Sequence, residues 1–458
     1  MADKPWERAR LIPVSGISGP DEQERRGVSA LLAVVNSVRE FGRAITGPLG
    51  APAGGVTAFI EVPFTSGEKN LRPDGVLQVK RGTATWTALV EVKTGTNELR
   101  TAQVESYLDV AREQGFNAVV TISNQLVGAP GEHPVTVDKR KLRNVSLHHL
   151  SWSQIRTEAL VEQANKSVSD PDQAWILAEF IRYLEHPRSG AAEFDDMGPS
   201  WVTVREAARA GTLQAADKGA VDVVRRFGHL VSFAAMLLSR ELGVEVRPAL
   251  SRADVKEPGK RVQAAAAALA ETGILSGGLR VPNAAATIEI TADLRSSRIR
   301  SAITVDAPAA GKSLTRLNWL LRQLRDTPGS VYIEAIAVRQ RGMGPVKTIA
   351  QVRETPRLLV EDPKRDLRAF TVSLSANAGT KRGKGRGSFV LSVLDTVDSF
   401  YADVVQHIKP WTPPPVKVPD DEPPRDDDQD TPGHATHLAA PSTPNGDLGD
   451  LVQASSAD

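Results

Sequence analysis

Three side chains in the stretch LRPDGVLQVKRGTATWTALVEVKTG (71–95) are of the types that handle phosphate or metal chemistry: Asp74, Glu91 and Lys93. They stand at the ends of apolar runs, where a sheet normally excludes charge. The stretch reads as two strands joined by a tight turn near KRGT (80–83). Side chains in a strand alternate between faces, so Leu89, Glu91 and Lys93 share one face and Ala88, Val90 and Val92 the other. A hairpin sets the start of the first strand beside the end of the second. Asp74 and Glu91, with 16 residues between them, should therefore converge. Two carboxylates held together repel each other and lose hydration, and a hard divalent cation relieves both problems.

The surrounding elements give this hairpin a sheet to join. Residues 20–45 read as a helix with Val28, Leu31, Val35 and Val38 on one face and Asp21 as N-cap. Residues 57–64 read as a strand and about 97–114 as a second helix. The nearly unbroken apolar run 117–123 suits a buried parallel strand. The order is α-β-β-β-α-β, which predicts an α/β domain with a mixed sheet over residues 1–150. Helical periodicity then dominates 151–245, at 172–186 and 218–242. Over 246–410 the Ala-rich run 262–275 reads as a packed helix. Strands at 286–294, 301–307, 331–338 and 369–376, with helices at 313–326 and 387–408, make this part an α+β domain with a mostly antiparallel sheet. Residues 411–458 are rich in Pro, Asp, Ser and Thr. They have too little apolar surface to offset their ordering entropy and are expected to be disordered.

Pro73-Asp74, followed after the 16-residue gap by Glu91-Val92-Lys93, resembles the active site of the PD-(D/E)XK nuclease superfamily, whose core has the element order just read. The resemblance covers roughly residues 20–125. It implies a restriction-endonuclease-like fold in which Asp74 and Glu91 bind Mg²⁺ (or Mn²⁺) and Lys93 orients, or helps deprotonate, the attacking water. It also implies a glutamate from the first helix. Of Glu22, Glu24 and Glu40, only Glu24 runs in the core-facing row with Val28, Leu31 and Val35, and it becomes the expected third metal ligand. Glu22 runs with Arg26 and Ser29, and Glu40 with Asn36 and Ser37. QVESY resembles the Gln-x3-Tyr pair of the RecB-like branch. Gln103 and Tyr107 would share a helix face near the substrate or the catalytic residues, although Tyr107 also fits a core position with Leu99, Leu108 and Ala111. The implied activity is metal-dependent hydrolysis of nucleic-acid phosphodiesters, DNA being the expected substrate. The same fold without its chemistry would be a module that binds nucleic acid or protein in a stress or phage-defence response. DQAWILAEFIRYLEHPRSGA (172–191) resembles actinobacterial stress-response-type proteins, a likeness that carries no mechanism.

Composition sets the outer bounds. A chain of 458 residues with 41% hydrophobic and 24% charged residues suits two or three globular domains. Without cysteine it has no disulfide, no thiolate metal site and no thiol nucleophile. It has no apolar core of signal-peptide length and no run of about 18 apolar residues, so a cytoplasmic protein without a membrane partner is expected. Net charge is +1. Residues 416–458 hold ten acids and two bases, a net −8, which leaves +9 for residues 1–415. Such a basic body suits a polyanion. TKRGKGRG (380–387) sets Lys381, Arg382, Lys384 and Arg386 among glycines, as a mobile phosphate-contacting loop would. Arg295, Arg298 and Arg300 form a similar cluster. VDAPAAGKSL (305–314) carries Asp306 where a phosphate-cradling loop needs glycine, so no nucleotide site is expected there. His148 and His149 read as a satisfied structural pair. A second copy of the chain, as a homodimer, is a further candidate partner.

Overall fold

Val38 adopts an extended conformation (φ −98°, ψ 100°) that divides the first expected helix into α1 (Pro20–Ser37) and α2 (Arg39–Thr46). Pro20 opens α1, and Gly19, not Asp21, occupies the cap position. Next come strands β1 (Gly55–Ile60), β2 (Phe64–Ser66), β3 (Lys69–Leu71), β4 (Gly75–Arg81) and β5 (Ala84–Val92). They are followed by α3 (Thr101–Glu113), β6 (Ala118–Ser123) and β7 (Ser146–Ser151). This computed structural model describes residues 10–66, 69–128, 131–164, 168–191, 194–360, 362, 364–383 and 385–413. Lys384 and all of the expected disordered tail from residue 414 onward lie outside the described residues.

Five of these strands form a mixed sheet in the order β1-β4-β5-β6-β7, antiparallel across the first three and parallel across the last three. β2 and β3 form a separate two-stranded ribbon. β5 is buried without a break from Trp86 to Val92 because both sheet faces are covered. Ala88, Val90 and Val92 pack with Val28, Leu31 and Val35 of α1. Leu89, Val76 and Val119 pack with Val104, Tyr107 and Leu108 of α3.

The helical stretch 151–245 has no core of its own, because its helices turn their apolar faces to two different sheets. Helices α4 (Trp152–Ala164) and α5 (Pro171–Leu184) add Trp152, Ile155, Phe180 and Tyr183 to the first core. Helices α6 (Trp201–Ala210) and α7 (Lys218–Leu242) add Trp201, Val204, Val223 and Phe227 to a second. That second core lies on one face of a seven-stranded antiparallel sheet. The remaining elements are β8 (Arg247–Pro248), α8 (Arg252–Lys256), α9 (Pro258–Thr272), β9 (Ile274–Arg280), β10 (Ile288–Asp293), β11 (Arg298–Asp306), α10 (Ser313–Gln323), β12 (Tyr332–Ala337), β13 (Val346–Thr348), α11 (Ile349–Glu354), β14 (Leu367–Asn377) and α12 (Phe389–Asp403). The strand order is β13-β12-β14-β11-β10-β9-β8. Ile288, Ile290, Ile303 and Val372 face this core, while Glu289, Arg300 and Thr304 alternate to the other face.

The two halves meet where α4 packs on α7 and where Arg261 of α9 pairs with Glu132 at 2.7 Å. All the elements named belong to one unit, which ends at Thr412. Among the described residues no helix is long and apolar enough to cross a membrane.

Candidate active site

β4 pairs antiparallel with β5, Gly75 facing Val90, and one further step sets Asp74 level with Glu91. The apolar faces on both sides hold this register, because a slip of one residue would turn every buried side chain around. Gly75 has no room for a side chain, since a Cβ there would lie 2.5 Å from Leu32 Cδ1. Helix α1 thus packs directly on the start of β4. Asp74 Oδ2 accepts the Val92 N–H at 2.7 Å, which ties the carboxylate to β5. The Asp74 carbonyl accepts the N–H of Glu61, a residue just past β1 in the left-handed region (φ 50°). Glu61 also pairs with Arg72 at 3.3 Å.

Glu91 is 1% exposed. Its Oε1 lies 2.7 Å from Lys93 Nζ and 2.6 Å from Gln103 Nε2. Gln103 Nε2 also reaches the Tyr107 hydroxyl at 3.3 Å, and that hydroxyl donates to the Arg72 carbonyl at 3.4 Å. Tyr107 therefore has its ring in the core and its hydroxyl at the site.

Lys93 lies one residue past β5. Its N–H donates to the Ile122 carbonyl at 2.7 Å, and its own carbonyl accepts the Trp152 indole N–H at 2.8 Å. With the backbone pinned, the side chain reaches from the end of β5 to α1. The ammonium bonds Glu91 and also Glu24 Oε1, at 2.9 Å. The other Glu24 oxygen accepts Asn97 Nδ2 at 3.3 Å. Glu22, in contrast, is held by Ser18 and Arg26.

Burial pushes the Glu91 carboxyl up to about 7; the neighbouring Asp74 charge adds to the shift and Lys93 opposes it. Burial likewise raises Asp74, against the Val92 hydrogen bond and the Lys93 charge. Burial draws the Lys93 ammonium down, but Glu91 and Glu24 together outweigh it and hold the group above its ordinary value. Burial and the Glu91 charge raise the Tyr107 hydroxyl. Near neutral pH the site thus contains a full ammonium beside a Glu91 carboxyl that is close to taking up a proton.

Among the described residues no group of three or more His, Cys, Asp or Glu side chains is arranged to hold a metal ion. Glu24 is turned to Lys93 and Asn97 and does not complete a three-carboxylate set with Asp74 and Glu91. What remains is a pair of hard oxygen donors whose charges oppose each other, Glu91 buried and Asp74 half-buried. That set fits Mg²⁺, which commonly uses one or two carboxylates and keeps several waters.

The row of side chains continues across the sheet, Glu91 facing Thr121 and Thr121 facing His149. Thr121 Oγ1 lies 2.7 Å from His133 Nε2 and 2.9 Å from His149 Nδ1, and His149 Nε2 meets the Gln125 carbonyl at 2.8 Å. Burial lowers His149 to about 4, which keeps it neutral. Both of its ring nitrogens are partnered, whereas His148 Nε2 is buried with no hydrogen-bond partner.

The basic loop is not part of this site. Residues 380–382 are folded onto α6 and the segment before it. The Thr380 carbonyl accepts the Trp201 indole N–H at 3.1 Å, the Arg382 carbonyl accepts the Met197 N–H at 2.9 Å, and Arg382 pairs with Asp196 at 3.3 Å. The loop expected to be mobile is thus tied on one side; among its described residues Lys381, Arg382 and Arg386 are exposed, Arg382 with its charge paired to Asp196. Arg295 and Arg298 are also committed, to the Glu271 carbonyl at 2.7 Å and to Asn377 Oδ1 at 2.9 Å.

No protein-family model matches the chain, and no curated protein is similar to it.

Proposed function

We propose that the chain hydrolyses phosphodiester bonds of nucleic acid, with DNA as substrate, at a PD-(D/E)XK-type site formed by Asp74, Glu91 and Lys93. The observation that carries this reading is the meeting of a buried carboxylate, Glu91, with a half-buried one, Asp74, and a half-buried ammonium, Lys93, at one end of a mixed sheet. The order α1-β1-β4-β5-α3-β6 is the α-β-β-β-α-β order of that superfamily and supports a restriction-endonuclease-like core. Asp74 and Glu91 would hold Mg²⁺ or Mn²⁺, which when bound supplies positive charge against the phosphoryl oxygens.

The chain's own residues do the rest. Gln103, a neutral donor to Glu91 at 2.6 Å, fixes the carboxylate's orientation. Tyr107 holds Gln103 in turn. Lys93 stays an ammonium at neutral pH because Glu91 and Glu24 outweigh its burial. It therefore acts as a donor that orients the attacking water and faces developing negative charge, not as the base. Glu24 holds Lys93. A cytoplasmic setting without a membrane partner accords with this substrate.

The test is cleavage of single-stranded, duplex and branched DNA and of RNA by the purified protein with Mg²⁺ or Mn²⁺. Cleavage that disappears in Asp74→Ala is expected. No cleavage of any of these substrates, or cleavage that survives Asp74→Ala, sinks the proposal.

A further inference from the structure

Resting on the metal-dependent reading above, we infer that Lys93 is the resident counter-ion of the carboxylate pair, and that Glu24, held by Asn97, is the seat to which it withdraws when a divalent cation binds. The ammonium bridges two carboxylates from different elements, Glu91 at the end of β5 and Glu24 on α1, at 2.7 and 2.9 Å. It can release one and keep the other. Its backbone is fixed on both sides by Ile122 and Trp152, so the exchange is a swing of the side chain alone.

A divalent cation brought against Glu91 would meet a positive charge at contact distance, a repulsion that low water content magnifies. The site has a place to put that charge. Glu24 is 17% exposed, and its second oxygen is anchored by Asn97 Nδ2. Gln103 remains on Glu91 as a neutral donor, so the carboxylate keeps its direction when the ammonium leaves. The ion balance agrees. When ionised, three carboxylates and one ammonium sum to two negative charges, the charge one divalent cation neutralises. Asn97 and Glu24 are on this account positioning residues that act through Lys93.

The test is calorimetric titration of the full chain with Mn²⁺ near neutral pH, without nucleic acid, with a thermal melt of every variant to confirm folding. Lys93→Met should bind Mn²⁺ about tenfold more tightly than wild type. Lys93→Gln should do the same and replaces it if Lys93→Met does not fold. Asn97→Ala removes no charge, so simple electrostatics predicts no effect. The swing predicts about threefold weaker binding in the wild-type background and no change on top of the Lys93 substitution. Equal affinity in wild type and both Lys93 variants overturns the inference, as does an Asn97→Ala effect of the same size in both backgrounds. Mn²⁺ binding that Asp74→Ala abolishes, combined with either result, leaves the metal site standing and removes only the swing. Absence of Mn²⁺ binding in wild type, or binding indifferent to Asp74→Ala, removes the metal reading and this inference together.

Discussion

At one end of the five-stranded sheet, Glu91 is buried in contact with the partly buried Lys93 ammonium and level with the partly buried Asp74 carboxylate, whereas the seven-stranded sheet keeps its charges on its solvent face and in its turns. In the second sheet Asp293 is satisfied by Ser296 and the turn backbone, Arg298 by Asn377, and the basic loop leans on Asp196. These are inexpensive arrangements, because water shares in the solvation. The first sheet has taken Glu91 out of water and its partners partly so; a fully buried charge costs several kcal/mol, and an apolar replacement of a buried pair is often as stable. Stability therefore explains the second pattern and not the first. The first is the pattern that the proposed hydrolysis would require.

The contrast can be broken in four ways, from the largest effect to the smallest. Glu91→Ala should lower Mg²⁺-dependent cleavage by about 10³-fold or more, since it removes half of the hard donor pair; residual activity near wild type would place the chemistry elsewhere. Lys93→Met, without divalent cation at pH 8, should cost about 3 kcal/mol in urea unfolding, because it strands Glu91 and Glu24. At pH 5 that cost should shrink as Glu91 takes up a proton. A pH-independent loss would mean that the side chain matters only for packing.

Glu91→Gln tests the sign directly. The folded carboxyl titrates near 7, above its ordinary value of 4.5. The native state therefore holds the proton that the unfolded chain releases, and wild type loses stability as pH rises through that interval. Relative to wild type the variant should gain about 2 kcal/mol between pH 5 and pH 8. A flat difference would mean that Glu91 is not loaded. Arg298→Ala and Arg382→Ala in the second half should each cost less than about 1 kcal/mol, with no trend over the same pH range. A larger or pH-dependent cost there would erase the distinction between the halves.

Much of the site was legible because its information is local. A tight turn, period-2 alternation and an apolar run fix how the 71–95 hairpin pairs, and helix periodicity puts Glu24 on the face that packs on β4. Gln103 and Tyr107 share a helix face for the same reason. What escaped depends on distant partners or lacks a pattern. Asn97 falls inside the helix expected from about residue 97, but the helix begins only at Thr101 and Asn97 sits in the loop before it. Trp152 reads only as an apolar residue, although its indole holds Lys93 from 59 positions away. β7, with the sequence SLHHLS, is too polar to announce itself as a strand beside β6. Val38 breaks a helix without proline or glycine. The basic loop looked loose because its partners, Asp196 and Trp201, lie about 180 residues earlier in the chain.

Trp152 is the first residue of α4, and α4 packs on α7. The wall that holds the Lys93 backbone is thus fastened to the other half of the protein. A fragment ending at Leu150 would keep all three charged groups and lose the wall. The loss would spare every charged side chain and strip the Lys93 carbonyl of its indole partner, so the helices between the sheets help to position Lys93 as much as the hairpin does.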